Sequence, residues 1–144
     1  MRRRRDEAGT MLVEFTWLGL LLLVPLIYLM VTVFEVQREA YAATAAASAA
    51  GRAISVAGSD EEAHRQARAA VTLAYADQGI DDPRWALEVD CSPSSCLAPG
   101  AVIEVRVSSR IDLPLLPRVF GSAQPSIPVS ASHTVPRGRF RSGG

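Results

Sequence analysis

Few residues of this 144-residue chain are placed to do chemistry, and the most telling is a carboxylate. Glu14 stands at the mouth of an uncharged run, Phe15 to Phe34. In a bilayer, an ionised side chain costs up to about 3 kcal/mol at the centre, less near an end, and it needs a partner. Cys91 and Cys96, in CSPSSC, are the second candidate pair. The intervening Pro and three Ser make a turn that could bring the sulfurs together, since a disulfide needs Cα atoms within about 7 Å. That reading requires an oxidising compartment. Its alternatives are two free thiols or a metal site. Zinc would need two further ligands at fixed spacing, and the only histidines, His64 and His133, are isolated.

Catalytic arrangements find no support. The chain has no nucleophile elbow, no glycine-rich phosphate loop and no paired metal ligands. Ser132 and His133 are adjacent, and neighbours on a strand point to opposite faces, so they form no dyad. DQGIDD lacks the ligand spacing of a calcium loop. The sequence therefore reads as non-enzymatic, with no cofactor, metal or small-molecule substrate. All fifteen basic residues are arginine, which fits GC-rich coding. Without a compact basic patch interleaved with aromatics, they do not indicate a nucleic-acid partner.

The elements that must position Glu14 and the cysteines begin with the apolar run. Its 20 residues would span about 30 Å as a helix, the thickness of a hydrocarbon core. Arg2 to Arg5 precede it, whereas Glu35, Arg38 and Glu39 follow it. This bias puts the N-terminus in the cytoplasm and the rest outside the cell membrane as a single-pass protein. A disulfide asks for the same orientation. A cleaved secretory signal would have a shorter apolar core and an earlier small-residue site than the one starting at Ala42. A twin-arginine signal fits less well still, because acids occupy its apolar positions. Pro25, mid-span, predicts a kink rather than a break.

Alanine-rich sequence without proline carries the helix on, from about Thr10 to Val56. Ala42, Ala46 and Ala50 recur every four residues, as do Ala43, Ala47 and Gly51, a spacing that lets helices approach closely. This stripe faces either the chain's own globular domain or another subunit. Gly58-Ser59 ends the helix, and Ser59 with Glu62 has the form of a capping box for a second helix. Ala63, Ala67, Ala70, Val71 and Ala74 form its apolar face, and Gly79 its stop. His64, Arg65 and Arg68 read as its solvated face.

From Trp85 the period becomes two. Trp85, Leu87, Val89 and Cys91 form one strand face, and Ala101, Ile103, Val105 and Val107 the next. Ile127 to Val135 is a third strand, which Pro128 marks as an edge or a strand start. The predicted fold class is α+β: a long N-terminal transmembrane helix extends into a small extracytoplasmic domain of one helix on a three-stranded antiparallel sheet. Four segments follow: a basic leader 1–9, a transmembrane and extended helix 10–58, the α+β domain 59–135, and a flexible basic tail 136–144. Residues 60–104 carry nine acids against three arginines, and residues 105–144 six arginines against Asp112. Such asymmetry either orients partners head to tail or reflects two solvated faces.

With these pieces in place, RRRRDEAGTMLVEFTWLGLLLL resembles the prepilin-type leader of the TadE-like pseudopilins of tight-adherence (Flp-type) pilus systems. In that family a short basic leader ends in glycine, and a membrane aspartyl protease, the prepilin peptidase, cuts after it. Glutamate then stands fifth in the mature chain. The resemblance implies that Gly9 ends the leader and Thr10 is the new N-terminus. Glu14 and Phe15 become the Glu-Phe pair that serves peptidase recognition or assembly. FEVQREAYAATAAASAAGRA is similar to the family's post-membrane helix, and VSASHTVPRGRFR to the end of its actinobacterial members. Residues 59 to 126 match no pattern of the family. Pro25 lies deeper in the span than is usual, and Asp6 and Glu7 dilute the leader's charge.

The implied function is a minor component of pilus assembly or secretion. Its implied partners are membrane lipid, prepilin peptidase, other pilus or pseudopilin subunits and a Tad-type membrane platform. Cleavage would also create a counter-charge for Glu14, the ammonium of Thr10 at the helical i, i+4 spacing. The competing reading is a single-pass membrane protein with a small extracytoplasmic binding domain, neither cut nor built into a filament. Glu14 would then be an interfacial acid beside Arg2 to Arg5.

Overall fold

A computed structural model describes residues 4–81, 84–112 and 126–139, the side chains of residues 4–10 and 12 excepted. The chain divides into two compact units, Met1–Phe34 and Glu35–Gly144. One helix, α1 (Arg4–Val56), contributes to both. The division falls inside this helix rather than at its end, so residues 35–56 belong with the α+β unit.

In the first unit α1 starts at Arg4, earlier than the expected Thr10, and Pro25 lies within it without ending it. Proline removes one backbone donor, yet the helix continues on both sides of it. Further along, the Thr32 hydroxyl donates back to the Tyr28 carbonyl at 2.9 Å. The apolar side chains from Phe15 to Phe34 are exposed, Leu21 by 64%. By length and composition this helix can cross a membrane. An apolar surface of this extent is unusual on a protein that meets only water.

The second unit is an α+β arrangement. Ser59 caps α2 (Asp60–Asp77), its Oγ accepting from the Glu62 amide at 3.2 Å. The Glu62 carboxylate accepts from the Gly58 amide at 3.1 Å, so the return arm of the capping box lands one residue earlier than the usual pattern. Asp60, Glu61 and Glu62 place negative charge where the helix dipole is positive. Three strands follow: β1 (Trp85–Ser92), β2 (Val102–Asp112) and β3 (Ser126–Pro136). They form an antiparallel sheet in the order β1-β2-β3, with Val89 opposite Val105 and Val105 opposite His133. β3, with Pro128, is an edge strand as expected.

Ile103, Val105 and Val107 of the central strand are fully buried. So are Ala42, Ala43, Ala46, Ala47 and Ala50 of α1, and Ala67, Val71 and Tyr75 of α2. Alanine on the helices and β-branched residues on the sheet are complementary, because a small helix surface lets the backbone settle close to a pleated one. The sheet is longer than its apolar alternation suggests. β2 continues past Val107 through Ser108, Ser109 and Arg110 to Asp112 and pairs with the start of β3. The segment expected to be a flexible tail from residue 136 also starts in folded structure. Pro136 ends β3, and Arg137 is buried. The apolar connection 113–125 and residues 140–144 lie outside the described residues.

Candidate functional site

The N-terminal motif sits on α1. Gly9 and Thr10 are within its helical backbone, though their side chains are outside the description. Glu14 is exposed one helical turn after Thr10, and Phe15 beside it is 78% exposed. An i, i+4 pair on a helix is within contact distance, so a charge at residue 10 would bear on the Glu14 carboxylate.

Cys91 and Cys96 are joined, with Cα atoms 5.1 Å apart. Cys91 lies near the end of β1 opposite Ile103, and both cysteines pack against the edge of the core. The link closes only a short loop, so it restricts the unfolded chain little. Replacing both cysteines by alanine is expected to cost about 2 kcal/mol or less. Thermal unfolding with and without reductant measures it. A loss large enough to prevent folding would assign the bond a greater part than loop closure.

The six small residues of the α1 stripe all face their own domain. Ala42, Ala43, Ala46, Ala47, Ala50 and Gly51 are buried within the second unit. A Cβ built on Gly51 would stand 3.0 Å from Val135 Cγ2, 3.6 Å from His133 Cδ2 and 3.7 Å from Val105 Cγ2. Of the two expectations for this face, intramolecular packing is the one realised, and no subunit can reach it in the folded domain. Ser132 and His133 point to opposite faces of β3, as adjacent strand residues must. Among the described residues, no three His, Cys, Asp or Glu side chains gather as a metal site.

Three polar features were not evident from sequence. Glu39 of α1, Tyr75 of α2 and Ser109 of β2 are all buried, and they converge at the end of the domain where α1 enters. Burial pushes the Tyr75 phenol above its ordinary value. Ser109 opposes this, and the negative charge of Glu39 adds to it. Neither hydroxyl has an aligned hydrogen-bond partner among the described residues. Only Glu39's place on the alanine face hinted at this cluster. Second, Arg68, read as solvated, lies over the Trp85 ring, 5.0 Å from its centroid, and ties α2 to β1 by a cation–π contact.

The third feature is Arg137, whose guanidinium donates to the Ala57 carbonyl at 3.0 Å and the Ile54 carbonyl at 3.5 Å. On the sheet face away from the helices, a depression of about 600 Å³ is lined by Arg84, Ala86, Ser108, Arg110 and Pro128, and it also touches Trp85 and Ser109. Arg84 also forms an ion pair with Asp112. No protein-family model, curated protein or solved structure matches the chain.

Proposed function

We propose that this chain is a membrane-anchored, minor pseudopilin-like (TadE-like) subunit of tight-adherence pilus assembly or secretion. Prepilin peptidase removes residues 1–9, cutting between Gly9 and Thr10. α1 holds the chain in the cell membrane with its N-terminus cytoplasmic, and the α+β unit lies outside. One observation carries this reading: an exposed carboxylate at the head of an uncharged run, Phe15 to Phe34, in a helix that is long enough to span a bilayer. Glu14 is one helical turn from the residue that would become the N-terminus. Cutting supplies the ammonium that compensates Glu14, in the same or a neighbouring subunit. The cysteine link outside agrees with an oxidising compartment.

The test is the mass of the N-terminal peptide of the membrane-fraction protein. A chain beginning at Thr10 is expected, and an intact Met1 or Met-trimmed Arg2 terminus would overturn the reading in favour of an uncut single-pass binding protein. Gly9→Leu is expected to leave the chain uncut. Glu14→Ala is expected to be cut and inserted yet lost from assemblies with other subunits. Normal pilus assembly by both variants would remove the role given to this motif.

A further inference from the structure

The sheet face opposite the helices separates its charges. Toward the cysteine turn it presents Glu88, Asp90 and Glu104, and Asp90 stands directly across from Glu104. Like charges in directly opposite positions weaken a sheet. The cation paired with this corner is Arg106, 3.4 Å from Glu104 and across from Glu88, which leaves negative charge in excess. At the other end lies the arginine depression. There Arg84 is paired with Asp112, whereas Arg110 is exposed and has no ion-pair partner among the described residues. Small residues, Ala86 and Ser108, line the depression beside the two arginines and leave room for an incoming side chain.

The geometry points to head-to-tail self-association, in which the arginine depression of one copy receives the Glu88, Asp90 and Glu104 corner of a second copy. Within one chain the two cannot meet. Glu104 and Arg110 are six residues apart along β2, roughly 20 Å. The inference rests on the filament-subunit reading for the choice of an open arrangement over a closed, two-fold one. An antiparallel two-fold pairing would satisfy both ends at once in a closed dimer, whereas an offset along the strands joins acid to arginine once per contact. Each added copy leaves one acidic corner and one depression free. Such a contact is heterologous and propagates rather than closes.

The test uses the full chain in detergent micelles, with the N-terminal mass read on the same sample. Sedimentation is compared at about 50 mM and about 500 mM salt, since screening weakens exposed ion pairs. The expected result is an open series of oligomers at low salt that dissociates at high salt. Arg84→Glu with Arg110→Glu, and separately Asp90→Arg with Glu104→Arg, should each weaken association by about tenfold or more. Mixing the two double variants should restore it, because each then offers the other a complementary end. A variant that merely misfolds would not be rescued.

A closed dimer that does not grow would overturn the proposal, as would association indifferent to these four residues. Retention of an anionic lipid or inorganic phosphate by a wild-type chain that stays monomeric would assign the depression to a small anion instead. A chain that begins at Thr10 but stays monomeric sinks this contact and leaves processing standing. An uncut chain that associates through these residues does the reverse.

Discussion

Gly51→Leu is expected to lower the melting temperature of the Glu35–Gly144 unit by more than about 10 °C. Gly51 lies where α1 crosses β2 and β3, and its missing side chain is what allows the approach. The first carbon of any replacement would already press on Val135 Cγ2 at 3.0 Å, with His133 and Val105 close behind. Alanine gains about 1 kcal/mol in helix propensity, and edge strand β3 can give by a few tenths of an ångström, so Gly51→Ala should be nearly neutral. Leucine adds three more carbons with no space to receive them. Overpacking of this kind costs about 1–3 kcal/mol or more. Near-UV circular dichroism during heating, in micelles, reads the loss. A leucine variant that melts with wild type would mean that α1 does not rest on the sheet at this point.

Arg137→Met comes next in size. The last carbonyls of α1 have no donors within the helix and carry the negative end of its dipole. Arg137 supplies two donors and a positive charge there, reaching Ile54 and Ala57, while its own amide donates to the Ala101 carbonyl at 2.7 Å. Methionine keeps the apolar stem and loses the donors. The buried Ala57 carbonyl is then left unpaired, while the Ile54 carbonyl keeps the Ala57 amide at 3.2 Å, and a loss of about 1–3 kcal/mol is expected. Lysine should fall between, since a single ammonium cannot divide its bonds as a planar fork does. Denaturant midpoints of the three proteins give the order, and faster amide exchange confined to the last turn of α1 would locate the effect. Equal midpoints for arginine and methionine would show that the carbonyls find water instead.

What could be read from sequence followed from how local each interaction is. Ser59 and Glu62 are three residues apart, and their cap was legible because both partners lie in one short window. Alternation in Trp85–Cys91 and Ile127–Val135 was legible for the same reason. The second half of β2 was not, because Ser108, Ser109 and Arg110 carry no apolar rhythm. Its strand character comes from pairing with Trp85 and Ala86 on one side and Pro128 to Ser130 on the other. The alanine stripe announced close packing without naming its partner; at its last residue, Gly51, that partner is Val135, His133 and Val105. Arg137 resembled a loose tail because what holds it is 80 and 83 residues away. At the N-terminus, Gly9 and Glu14 gain meaning as a pair only under the proposed pseudopilin reading, and α1 carries both on one helical backbone.

The same long separations set an order of events during synthesis. α1 is made first, yet its alanine face meets β3 only after Val135 exists, and its last carbonyls are held only after Arg137 follows. Contacts so distant in sequence form slowly, and until they form the helix surface that will be buried stays open to other chains. Growing chains would therefore pass through a period in which a chaperone, or early release of a shortened product, decides between folding and clumping. A product ending before residue 126 would have both helices, β1 and β2, and no third strand to pack against Gly51.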